Sequence, residues 1–131
     1  AFLDITLPDN KGQMQPLSQY RGKVIVLDFS STEMEQYVAY NFELRELYNQ
    51  YHKQGLEIYS IGIERNLLAW EEATENLPWL TVRALDNEIT EVLTRYNVQS
   101  LPTLFLFDRE GNVQGRYTDF TALEADINKY L

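Results

Sequence analysis

A chain of 131 residues is the length of one domain, long enough to bury roughly two-thirds of its unfolded surface in a single core. With 44% hydrophobic and 24% charged residues it reads as an ordinary soluble globular protein, and no apolar run approaches the roughly 20 residues that cross a bilayer. A net charge of −9 argues against nucleic-acid binding, and the absence of cysteine excludes disulfides, thiolate catalysis and Cys-ligated metals within these residues.

Residues 2–7, FLDITL, alternate as a strand does and stop at Pro8. DNKG at 9–12 supplies turn residues, and MQPL at 14–17 returns as a short edge strand, where Pro16 is tolerated because no ladder needs its missing N–H. Val24–Phe29 is a continuous apolar run, the pattern of a strand covered on both faces. The polar stretch DFSSTEMEQY follows and passes into a long helix. Thr32 with Glu35 predicts a capping box, and Glu33 and Glu35 would complement the positive end of the helix dipole. Val38, Phe42, Leu44, Leu47, Tyr48 and Tyr51 keep helical spacing and are read as the inward face, with Gly55 as the stop. Tyr37 and Tyr40 are read as core or partial core, with a contact surface as the alternative.

LEIYSIGI at 56–63 is a second β-rich run. A helix around Trp70 is expected over 66–76, a short strand at 80–82, and another helix carrying Ile89, Val92, Leu93 and Tyr96. TLFLF at 103–107 and residues 113–117 flank DREGN, a hairpin turn with Gly111 where positive φ is needed. An amphipathic helix over 120–131 closes the chain. Alternating strands and helices, then a hairpin, then a helix, predict an α/β sandwich with a parallel start and an antiparallel edge. The opening at Ala1 rather than methionine predicts one domain, residues 1–131, excised from a longer chain.

Three segments in order resemble the thioredoxin superfamily: YRGKVIVLDF at 20–29, YNVQSLPTLFLFDREGNV at 96–113, and the opening FLDITLPDNKG with PLSQYRGK. The resemblance is to its branch of thiol-disulfide oxidoreductases and peroxiredoxin relatives, the TlpA/ResA-like and AhpC/TSA group. It implies a three-layer sandwich, a central mixed sheet flanked by helices, with an N-terminal hairpin extension. It also places the family's Cys-x-x-Cys dithiol on Met34 and Tyr37, with Glu35 and Gln36 between them and Glu33 at the preceding aromatic position. Asp28 stands where thioredoxins keep a buried acid, and Leu101–Pro102 corresponds to the family's cis-proline loop. A bacterial extracytoplasmic, periplasmic location is likewise an expectation from resemblance.

The departure from the family is chemical. Disulfide exchange and peroxidase chemistry both begin with a thiolate. A thioether has no ionisable proton, and a phenol with an ordinary pKa near 10 is no substitute. The expectation is therefore a redox-inactive thioredoxin-like domain, not a thiol oxidoreductase by itself. It would bind a protein or peptide at the degenerate site formed by Met34, Glu35, Gln36, Tyr37, Leu101 and Pro102, with Asp28 as a relic acid. No catalytic residue, metal or cofactor is implied. The alternative is an accessory domain of a thiol-disulfide oxidoreductase whose reactive cysteine lies in an omitted segment or a partner. Other candidates have plainer readings. Met34 fills an apolar gap rather than sensing oxidants. Glu33 and Glu35, two apart, do not converge as an acid–base pair. His52 is a solvated helix-end residue, and Asp108, Glu110 and Asn112 are a hairpin turn rather than a cation loop.

Overall fold

The computed structural model describes residues 4–131, and within them the polypeptide alternates much as its apolar periods dictate. A small hairpin comes first, from β1 (Thr6–Pro8) and β2 (Met14–Pro16), followed by β3 (Val24–Ser30), α1 (Tyr37–Tyr51) and β4 (Leu56–Gly62). Then come α2 (Leu67–Thr74), β5 (Leu80–Arg83), α3 (Ile89–Arg95), β6 (Thr103–Phe107), β7 (Val113–Tyr117) and α4 (Phe120–Tyr130). Short 3-10 turns cover Leu17–Tyr20, His52–Gln54 and Asp86–Glu88.

The main sheet runs β5-β4-β3-β6-β7, with β3, β4 and β5 parallel and β6 and β7 antiparallel to their neighbours. β3 is central and every one of its residues is buried, which is why it reads as an unbroken apolar run. Its side chains divide by period two. Ile25, Leu27 and Phe29 enter a core completed by Leu7 of the hairpin and by Val92 and Tyr96 of the α3 region. Val24 and Val26 enter the opposite core, under Tyr40, Leu44, Leu47 and Tyr51 of α1 and Leu123 and Ile127 of α4. Asp28 and Ser30 continue that second face, so two polar groups lie beneath α1 at the strand's end. The result is the α/β sandwich that the alternation predicted, in the layers that the family resemblance implies.

Three expectations need correction. The first strand is shorter than FLDITL: Phe2 and Leu3 lie outside the described residues, and the ladder starts at Thr6. The Asp4 carboxylate accepts the N–H groups of Ile5 (2.8 Å) and Ser18 (2.9 Å), so local side-chain bonds organise that stretch instead. The second correction concerns the helix start. α1 begins at Tyr37, its cap residue Gln36 makes no side-chain capping bond, and no acidic residue sits in its first turn. The capping box fails because the Thr32 hydroxyl is committed elsewhere, donating to Glu64 Oε1 at 2.6 Å.

The third correction is the inward face of α1. Tyr40, Leu44, Leu47 and Tyr51 are the buried residues, whereas Val38 and Phe42 are 83% and 58% exposed. Each lies two positions from Tyr40, hence on the far side of a 3.6-residue turn. Phe42 is thus not core, and Tyr40 is core rather than contact surface. The stops behave as expected: Gly55 adopts φ +108° and Gly111 φ +86°. In the hairpin, Asp108 accepts N–H bonds from Glu110 (3.0 Å) and Asn112 (2.9 Å) and a side-chain bond from Gln114 (2.7 Å), which makes it a turn former.

Candidate functional site

The parallel strands β3 and β4 end side by side, Asp28 opposite Ser60 and Ser30 opposite Gly62. From this shared edge the chain leaves β3 as a series of turns over residues 31–36, and leaves β4 toward α2. Carboxyl ends of parallel strands are where open α/β sheets form crevices. Here the two departing segments are stitched together by carboxylates that reach in opposite directions. Glu64 accepts the Thr32 N–H at 2.9 Å and the Thr32 hydroxyl at 2.6 Å, with Ser31 Oγ at 3.5 Å. Glu33 accepts the Arg65 N–H at 2.8 Å and its guanidinium at 3.0 and 2.8 Å.

The two carboxylates differ in environment. Glu64 is buried, and desolvation raises its pKa despite the Thr32 bonds that favour the charged form. Glu33 is at the surface, and the Arg65 N–H and guanidinium hold it below its ordinary value. Gly62 makes room for the arrangement: a Cβ there would lie 2.7 Å from Trp70 Nε1 and 3.1 Å from Glu64 Cγ.

Beneath the turns, Asp28 is buried and accepts the Tyr40 hydroxyl at 2.5 Å and the Ser30 hydroxyl at 3.2 Å. Burial pushes its pKa up to about 6, against hydroxyl bonds from Ser60, Tyr40 and Ser30 that pull it down. Trp79 Nε1 donates to Ser60 Oγ at 3.0 Å and closes the cluster. Burial and the Asp28 charge keep Tyr40 protonated, well above its ordinary range.

Each site residue predicted from sequence has a definite place. Met34 is half-buried and packs against the core beneath α1 and α4, the gap-filling role expected of it. Glu35 and Gln36 are exposed on the outer turn. Tyr37 is half-buried, and its hydroxyl accepts from Asn41 Nδ2 at 2.8 Å. Burial, then the charges of Asp28 and Glu64, push its pKa up to about 12, so it stays a neutral phenol. Leu101–Pro102 is a cis peptide bond. Because Thr103 pairs with Phe29, this loop abuts the same end of β3 as the 31–36 turns. The structure thus gathers Asp28, Met34, Tyr37, Leu101 and Pro102 at one end of the sheet, and leaves Glu35 and Gln36 on its rim.

Sequence reading missed Glu64, Arg65, Asn41, Trp70 and Trp79. Glu64 had one usable signal, a carboxylate just beyond an apolar parallel strand. His52, by contrast, stands apart from the corner, stacked on Tyr48 with ring centroids 4.4 Å apart and 3.6 Å from Glu57. No group of three metal-ligating side chains occurs among the described residues. Glu64 is bonded to the Thr32 and Ser31 hydroxyls and Asp28 to those of Tyr40 and Ser30, an arrangement that holds the corner's shape.

Comparison with known proteins agrees with this geometry. A family model described as thioredoxin-like matches residues 22–113. The thiol-disulfide oxidoreductase ResA of Geobacillus kaustophilus is 37% identical over 131 residues, an alignment spanning 98% of this chain and 72% of that protein. ResA of Bacillus subtilis is 28% identical over 128 residues, spanning 98% and 70%. Among solved structures, a thioredoxin-like protein from Bacteroides vulgatus superposes with TM-score 0.87 at 36% identity, covering 98% of this chain and 84% of that one. The thioredoxin domain of a thiol-disulfide oxidoreductase from the same species gives TM-score 0.88 at 25% identity, covering 98% and 93%. The chain belongs to the thioredoxin-like family, is a homologue of the ResA-type thiol-disulfide oxidoreductases, and contains no cysteine.

Proposed function

We propose that this domain is a redox-inactive thioredoxin-like module that binds a protein or peptide segment at the corner of Met34, Glu35, Gln36, Tyr37, Leu101 and Pro102. One observation carries the reading: the strand-to-helix corner and the cis-Pro102 loop stand together, built and braced, while the chain has no cysteine. A thioether at residue 34 and a neutral phenol at residue 37 offer contact area without a nucleophile. An extended segment laid against the loop before β6 gains main-chain hydrogen bonds by strand addition, a mode that needs no thiol.

The aligned ResA of Geobacillus kaustophilus is longer than this chain, which covers 72% of it, and this supports a module carried in a longer protein. Homology with ResA supports an extracytoplasmic setting. The same length difference keeps the second reading in play, in which a cysteine in a neighbouring segment acts on what this domain holds. Reading the flanking gene segments separates the two: a flanking Cys-x-x-Cys supports the second, and a cysteine-free parent ends it. The test of the binding reading is Tyr37→Ala and Leu101→Asp in the full-length protein, followed by partner recovery from its own cells. Loss of the same partner with both variants supports the reading. Undiminished recovery of every partner with both variants overturns it.

A further inference from the structure

Between α1, α2 and the sheet lies a small cleft, partly open to solvent, with about 20 Å3 of room and with Asp28, Asn41, Ser60, Thr81, Trp70 and Trp79 among its walls. One water needs roughly 10–15 Å3 by the same measure, so the space holds a water. Its walls are polar on several sides. β3 brings the Asp28 carboxyl, β4 the Ser60 hydroxyl, β5 the Thr81 hydroxyl and α1 the Asn41 amide.

Asn41 carries the second, independent observation. Its Nδ2 donates to the Tyr37 hydroxyl at 2.8 Å, while its Oδ1 is buried with no hydrogen-bond partner among the described residues. Turning the amide over does not remove the problem. The Tyr37 hydroxyl would then donate to Oδ1, and a buried NH2 would be left unpaired instead. Buried amide ends are paired in the great majority of folded proteins, with protein or with ordered water.

We propose that this cleft is a site for one ordered water, which joins the buried Asp28 cluster to Tyr37 through Asn41. The water donates one hydrogen to Asn41 Oδ1 and the other to an oxygen of the Asp28–Ser60 pair, and it accepts from the Thr81 hydroxyl. The chain Asp28–water–Asn41–Tyr37 runs from the floor of the sheet to the mouth of the corner. Asn41 is then a positioning residue: it holds the Tyr37 ring in place because its own far end is anchored. The water site stands whether or not a partner docks at the corner.

Three measurements on the full chain test this. In the parent protein, a rotating-frame Overhauser experiment should give a cross-peak between water and the Asn41 side-chain amide protons. Oxygen-17 relaxation dispersion should then lose the contribution of one long-lived water in Asn41→Leu, and the Tyr37 ring should flip faster in that variant. The parent measurement needs no variant, so poor folding of Asn41→Leu does not protect the proposal. Absence of the cross-peak in the parent overturns it, as does a folded Asn41→Leu that keeps the full dispersion amplitude. An unchanged Tyr37 flip rate overturns the positioning role.

Discussion

Glu64 at the corner and Asp108 in the β6–β7 hairpin are both carboxylates that accept backbone N–H groups to shape a turn, yet their acidities move in opposite directions. Asp108 is desolvated too, but the N–H groups of Asn112 and Glu110 and the Gln114 amide outweigh burial and lower its pKa. Glu64 takes one backbone N–H and two hydroxyls, and burial wins. Asp28, fed only by hydroxyls, lies further along the same path. Depth of burial and the kind of donor together decide the sign, and at Glu64 the neighbouring Glu33 charge adds to the upward push. The hairpin draws its donors from within six residues, while the corner draws its own from elements 32 residues apart.

This contrast has consequences that can be broken in order of size. Asp28 is expected to be the largest. Its folded pKa near 6 exceeds the ordinary 3.8, so the folded state holds a proton that the unfolded chain has released between those values. Stability from this group is present below the unfolded pKa and falls as pH rises through about 6. Asp28→Asn should raise stability at neutral pH by about 3 kcal/mol and abolish that fall, read by urea unfolding at intervals from pH 4 to 7. An unchanged or lowered midpoint at neutral pH would show that the cluster favours the carboxylate after all.

Glu64→Ala comes next, with an expected loss of about 2 kcal/mol, because the Thr32 N–H and hydroxyl lose their acceptor. Amide exchange at Thr32 should accelerate with it, whereas exchange at Asn112 should not. Asp108→Ala should cost about 1–2 kcal/mol at neutral pH, since a charged acceptor of three bonds is lost. Its sign is opposite to that of Asp28. A depressed carboxylate stabilises above its unfolded pKa, so the gap between parent and variant should close as the solution is acidified through the carboxylate range. A gap that widened on acidification would reverse the assignment. Arg65→Ala should be smallest, a shift of the unfolding midpoint barely beyond the scatter of the measurement and weaker still in salt, because this ion pair is at the surface and the Arg65 side chain is 91% exposed.

The same contrast explains what sequence reading found and what it missed. The DREGN turn was readable because every group that shapes it lies within the turn or just beyond it: Asp108, the following N–H groups, and Gly111 at positive φ. The strands were readable from their periods, and Leu101–Pro102 from its resemblance to a known loop. The helix start was misread because Thr32 has the right spacing for a capping box but bonds across to Glu64, and no local rule anticipates that partner. Val38 and Phe42 were misplaced for a related reason. Apolar residues covered much of the helix, and only the true start and the buried Tyr40 show which stripe faces the sheet. The orphaned end of Asn41 had no signal at all, since it depends on a cleft formed by three strands and two helices.

The most direct test of the binding corner is site-specific photocrosslinking in the full-length protein within its own cells. A benzophenone-bearing phenylalanine analogue in place of Tyr37 should yield a discrete adduct that disappears when Leu101→Asp is added. The same analogue in place of Lys53, which follows α1 at its far end, should not yield that adduct. An identical adduct from both positions, or one that survives Leu101→Asp undiminished, would contradict the account.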